Sequence, residues 1–119
     1  MAMLNLPTVP FWGSGPAEGA RFLLFGAPLD LTGSGRLGTG AAPPAVRWAS
    51  GNIESYSPIL DGDLFDVGLT DLGDLDLGGL RLESALTEIE RTTADVLERG
   101  IPIVVGGEHT IALATGRAV

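Results

Sequence analysis

The sequence predicts an α/β fold built on a parallel sheet, and three observations predict it. The run Ile101-Pro102-Ile103-Val104-Val105 is short, β-branched and apolar at every position, the pattern of a strand buried on both faces. Leu82 to Arg99 carries Leu82, Ala85, Leu86, Ile89, Val96 and Leu97 at the i, i+3, i+4, i+7 spacing of one buried helical face. Strand-like and helix-like segments alternate as β, α, β, α, β, α, which favours parallel strands with helices packed on the sheet.

Taken in order, residues 1–20 hold turn formers without periodicity and read as an N-terminal arm. Arg21 to Phe25 reads as the first strand, closed by Gly26, and a polar glycine loop follows from Ala27 to Gly40. Pro43 and Pro44 suit a first helical turn, where a missing N–H costs nothing. That helix is expected to reach Ala49, with Gly51 as a left-handed stop. Leu64 to Leu69 is the candidate second strand. In the helix from Leu82 to Arg99, Glu83, Glu88, Glu90, Asp95 and Glu98 lie off the apolar stripe. Gly100 ends it and Pro102 blocks its continuation. After Val105, Gly106 and Gly107 allow a sharp turn, and a further helix starts at Ile111. Three parallel strands alone leave long apolar edges exposed. Residues 21–119 are therefore expected to be the N-terminal part of a larger α/β domain.

Composition narrows the function classes. The chain has 119 residues, 45% of them hydrophobic, enough for one small core. No stretch approaches the ~18 apolar residues of a membrane span. Met1 to Pro16 lacks the basic flank of a secretory signal. Cysteine is absent, which removes disulfides and thiolate metal sites and fits a cytoplasmic protein. The net charge is −8 and the seven basic residues, all arginine, are scattered. Nucleic-acid and anionic-membrane partners are not expected. An acidic surface attracts a cationic substrate, and it is equally an ordinary solubility balance.

Gly106-Gly107-Glu108-His109-Thr110 holds the only histidine of the chain, just past the carboxyl end of a predicted strand. Ligands of open α/β sheets bind at that edge. An imidazole there is a candidate metal ligand or general base, and equally a hydrogen-bonded structural group. One imidazole cannot hold a metal alone, and Glu108 is poorly placed to help, because adjacent residues rarely aim at one ion. Gly33-Ser34-Gly35-Arg36-Leu37-Gly38 matches G-x-G-x-x-G, which would make a nucleotide-binding module. The seven residues between strand and first glycine argue for a plain glycine loop. Asp61, Asp63, Asp66, Asp71, Asp74 and Asp76 do not fit a calcium loop and read as turn residues and solvated charges.

Four segments together resemble the ureohydrolase family of arginase, agmatinase, formimidoylglutamase and related enzymes. Gly26-Ala27-Pro28-Leu29-Asp30 resembles the family's first-strand exit. The stretch from Arg36 to Ser50 resembles R-x-G-x-x-x-x-P-x-x-[IV]-R, and Asp71-Leu72-Gly73-Asp74 resembles its D-x-G-D turn. Gly106-Gly107-Glu108-His109-Thr110 resembles G-G-[DE]-H-[ST], the first metal motif. The resemblance covers residues 21–119 and implies a three-layer α/β/α domain. It implies two Mn²⁺ ions bridged by a water whose pKa they lower, and attack of hydroxide on a guanidinium carbon to give urea and an amine. It assigns His109 to one manganese and gives Glu108 an orienting role. The later D-A-H-x-D and D-x-D motifs are absent from these 119 residues, which supply no further catalytic group and are expected to be inactive alone. The implied substrate is a small cationic guanidino compound of the agmatine or arginine type, and the implied full-length assembly is a homo-oligomer. A second possibility is a non-catalytic subunit or degenerate paralogue that pairs with a complete ureohydrolase.

Overall fold

The computed structural model describes residues 4–119. Strand β1 (Phe22–Ala27) is followed by helix α1 (Ala42–Ser50). A two-residue hairpin, β2 (Tyr56–Ser57) and β3 (Gly62–Asp63), comes next. Strand β4 (Leu69–Asp74), helix α2 (Leu82–Leu97), strand β5 (Ile101–Gly106) and helix α3 (Ile111–Ala118) complete the order. The main sheet runs β4-β1-β5 and is parallel throughout. Phe22 stands opposite Leu69 on one side and Ile101 on the other, and Ala27 stands opposite Gly106.

The first strand in the chain is thus the central one. From β1 the chain crosses by α1 to β4, then returns by α2 past β1 to β5. Right-handed crossovers in opposite directions put their helices on opposite faces. The side chains agree. Leu23, Phe25, Ala27 and Leu29 form a core with Ala85, Leu86, Ile89 and Val96 of α2 and Ala114 of α3. Each large side chain there contributes about 1.5–3 kcal/mol by leaving water. Gly26 points to the other face, where a Cβ would strike the Asp74 carboxylate and lie 2.9 Å from Pro43 of α1. Three layers result, as the ureohydrolase resemblance implies: α1, the sheet, then α2 with α3.

The outer edge of β4 is covered by the N-terminal segment. Asn5 and Asp74 exchange backbone hydrogen bonds of 2.8 and 2.9 Å, and Gly15 N–H donates to Leu69 C=O. The Thr70 hydroxyl donates to the carbonyls of Gly15 and Pro16. Strand β5, at the other edge, has no neighbour beyond it among the described residues.

Several boundaries differ from the sequence reading. The first strand begins one residue later and continues through Gly26 to Ala27, because β5 pairs with it that far. Leu64–Asp66 is a 3₁₀ turn rather than strand. The Asp63 carboxylate caps it by accepting from Phe65 N–H at 2.9 Å. The second strand starts only at Leu69, after Gly68 at φ 75°. Gly51 is not left-handed: its φ is −65°, and Asn52 and Ile53 continue the right-handed turn with bonds to Ala49 and Ser50. Strand β5 is not buried on either side: Pro102 and Val104 are half-buried, and Ile101 is 45% and Ile103 39% exposed. That is the consequence of its place at the sheet edge. Helix α2 stops at Leu97, which is exposed, whereas Thr92 and Thr93 complete the buried stripe.

The Thr92 hydroxyl is buried without a hydrogen-bond partner. Such a group costs its desolvation and returns nothing. Thr92→Val is therefore expected to leave stability unchanged or raise it by up to about 1 kcal/mol. Urea unfolding of the two proteins checks this, and a clear loss on substitution would mean that the hydroxyl is satisfied.

Candidate active site at the carboxyl edge of the sheet

β1 and β5 are neighbours that end level with each other. The chain then leaves β1 toward α1 on one face and β5 toward α3 on the other. Divergence of adjacent connections opens a crevice at the carboxyl ends, the usual ligand site of open α/β sheets. Leu29–Thr32 and Gly107–Thr110 meet there. Glu108 N–H donates to Leu29 C=O at 2.9 Å. Position 107 has to be glycine, since a Cβ would collide with the backbones of Ala27 and Leu29.

Glu108 and His109 then part company. The Glu108 side chain turns inward and is 7% exposed. Its carboxylate accepts from Thr32 N–H at 2.8 and 2.9 Å, one bond to each oxygen, and from the Thr32 hydroxyl. That hydroxyl also lies 2.9 Å from the hydroxyl of Thr110. Burial pushes the Glu108 carboxyl up, but the Thr32 hydroxyl and the amides of Thr32 and Leu31 outweigh it and hold it below the ordinary value. His109 is exposed on the α3 side of β5, and its carbonyl accepts from Ala112 N–H in the first turn of α3. It lines a cleft of about 700 Å³ with Pro102, Val104, Glu108 and Ile111. A second cleft of about 590 Å³, beside the ends of β1 and β4, is lined by Asp30, Asp74 and Asp76 among leucines.

Beneath the second cleft lies the main ion-pair network. Arg47 of α1 donates through Nε to Asp71 Oδ2 at 2.7 Å and through Nη2 to Asp71 Oδ1 at 3.0 Å. Its Nη1 reaches Asp74 Oδ1 at 2.7 Å. Asp71 also accepts from Phe11 N–H at 2.8 Å and Gly73 N–H at 3.0 Å. Its side chain has no exposed surface, so it is not one of the solvated charges that the sequence suggests. Burial would raise the Asp71 carboxyl, yet Arg47 and the two amides hold it below its usual range. The segment resembling a D-x-G-D turn is the end of β4, and its two carboxylates are held by the last arginine of the segment starting at Arg36.

Gly33–Gly38 does not open a helix. The chain forms a 3₁₀ turn at Thr39–Ala41 and enters α1 only at Ala42. Thr110 closes the Gly106–Thr110 motif, whereas Thr32, which completes the site's hydrogen bonding, carries no signal in the sequence, since it belongs to no periodic pattern. Among the described residues, no group of three or more His, Cys, Asp or Glu side chains is arranged to hold a metal ion. One exposed imidazole and a carboxylate already committed to Thr32 do not make a metal centre by themselves. No described helix is long and apolar enough to cross a membrane.

The family profile for arginase, described as "Arginase family", matches residues 20–119. The chain belongs to the arginase family. It is 38% identical over 96 residues to the agmatinase of Bacillus subtilis, an alignment covering 80% of this chain and 33% of that enzyme. The crystal structure of agmatine ureohydrolase from Thermoplasma volcanium superposes with a TM-score of 0.86 at 33% identity, covering 96% of this chain and 39% of that one. Formiminoglutamase from Trypanosoma cruzi, solved in oxidized form with Mn²⁺₂ at pH 8.5, gives 0.72 at 30% identity over 85% of this chain and 36% of that one. The chain thus spans about a third of the length of the curated relatives it matches.

The Arg47–Asp71 pair sets two expectations. Arg47→Met strands a buried carboxylate and is expected to cost about 3–5 kcal/mol in denaturant unfolding. A loss under about 1 kcal/mol would show that the pair is not buried in solution. Asp71 has a pKa below its ordinary 3.8 in the fold, so on acidification the unfolded chain takes up the proton first. The stability it contributes is full above pH 3.8 and disappears as pH falls through the lower folded value. Thermal melts between pH 5 and 2 should show this loss, and Arg47→Met should blunt it.

Proposed function

We propose that these residues belong to a manganese-dependent ureohydrolase that cleaves a linear guanidino compound, of the agmatine type, to urea and an amine. The observation that carries this reading is the position of His109. It follows β5 at the carboxyl edge of the sheet, exposed in a cleft between β5 and α3, within the stretch matched by the arginase family. Manganese in the Trypanosoma cruzi relative and agmatinase as the name of the Bacillus subtilis relative support the metal and the substrate class. The net charge of −8 suits a cationic substrate. When bound, the metal supplies a hydroxide at neutral pH.

In this reading His109 is one ligand, and the others lie outside the 119 residues, which are inactive alone. Glu108 orients the turn that carries His109. The working enzyme is a homo-oligomer. A non-catalytic subunit that pairs through the open β5 edge is the second reading. The exposed faces of Ile101 and Ile103 favour it.

The test measures manganese content and urea release for this chain and for the gene product read through beyond Val119. The longer product is expected to hold about two manganese ions per chain and to release urea from agmatine. In it, His109→Ala should lower both while the fold, read by far-UV circular dichroism, stays largely intact. Full metal content and rate in that variant would remove the ligand role. Absence of both activities in the longer product would favour the subunit.

A further inference from the structure

The glycine loop after β1 is fastened at both ends. At its first foot Thr32 gives its N–H and its hydroxyl to Glu108, a residue 76 positions away. At its second foot the Thr39 hydroxyl donates to Leu29 C=O at 3.3 Å and Asp30 Oδ1 at 3.2 Å. Gly33 rests over the Glu108 carboxylate, where an added Cβ would lie 3.5 Å from Oε2. Between the feet, residues 33–38 are exposed.

We propose that Glu108 and Thr32 form a clamp that fixes the Gly33–Gly38 loop beside His109, which makes Thr32 a positioning residue of the site. Its catalytic consequence rests on the ureohydrolase reading; the clamp itself does not. The chemistry favours a clamp over a mere buried charge. A carboxylate satisfied within its own turn would hold only that turn. This one draws its donors from the loop across the crevice, the backbone N–H and the hydroxyl of Thr32. The Thr32 hydroxyl passes the connection on to Thr110, so the residues on both sides of His109 grip the same loop foot. A glycine-rich segment has little stiffness of its own. Its position relative to His109 is therefore set by the feet, and Thr32 is the foot tied to the His109 turn.

The test compares wild type with Glu108→Gln, Thr32→Val and Thr32→Ser. In Glu108→Gln an NH₂ donor replaces one acceptor oxygen and faces a backbone N–H. In the 119-residue chain, the Thr32 amide is expected to exchange about tenfold faster in Glu108→Gln, while β1 and β5 amides are unchanged. Backbone order parameters of residues 33–38 should fall below about 0.6. Unchanged exchange and order there, or loosening shared equally by the two strands, would overturn the clamp. In the longer product, Thr32→Val is expected to raise KM for agmatine about tenfold with kcat and manganese held, and Thr32→Ser to restore it. A variant in which KM stays put, or in which kcat and metal fall together, would overturn the positioning role. A wild type that releases no urea would refute the ureohydrolase reading alone, and exchange in the short chain would still decide the clamp.

Discussion

The paired carboxylates of β4 and the guanidinium of Arg47 hold the molecule in its shape. Asp71 lies fully inside, where an uncompensated charge is not tolerated. It is satisfied only because α1 brings Arg47 to both its oxygens and the N-terminal segment adds the Phe11 amide. Asp74 shares the same arginine and lies against Gly26, so the central strand must be bare at that point for α1 to approach. Helix, edge strand, central strand and N-terminal segment are thus registered by one set of charges. The exit of β1, from which the crevice loop departs, is placed by that registration. Buried pairs of this kind add little net stability over a hydrophobic substitute. What this one does is fix position.

Much of the architecture could be read from periodicity. The long helix has a clear helical period, the β5 run is short and β-branched between Gly100 and Gly106, and their alternation implies parallel strands. Where the reading slipped, tertiary partners decided. Leu69–Asp74 contains two aspartates and a glycine, a poor strand by composition, and Leu64–Leu69 reads as the strand instead. The polar strand wins because Arg47 neutralises it from a distant helix, a partner that no local pattern shows. Thr92 and Thr93 fall on the buried stripe for a similar reason: position on the helix outranks side-chain polarity. The edge character of β5 depends on which strands neighbour it, and hydrophobicity alone does not carry that information.

The site divides in the same way. His109 is visible as a lone imidazole after a strand, and in the structure it is exposed in the cleft between β5 and α3. The outward turn of His109 and the inward turn of Glu108 follow from the tight bend that Gly107 permits. Thr32 was invisible, because its importance comes from meeting Glu108 across the sheet edge. Membership of the arginase family, established over residues 20–119, explains why four dispersed segments converge on one region of space. Two of them, the Arg36–Ser50 stretch and Asp71–Asp74, contribute the ion-pair network. The other two contribute the strand exits that face each other.

The central place of β1 also bears on how the chain acquires its structure. The first strand to be synthesised finds no partner until Leu69 and then Ile101 have emerged, since both its neighbours lie far downstream. Its apolar residues, Leu23, Leu24 and Phe25, must stay unpaired through that interval. Pairings so distant in sequence carry a large loop-closure cost and slow the search for the native arrangement. The nascent chain is therefore most vulnerable to misassociation before β5 is made, and the acidic character of the intervening residues helps keep it dispersed.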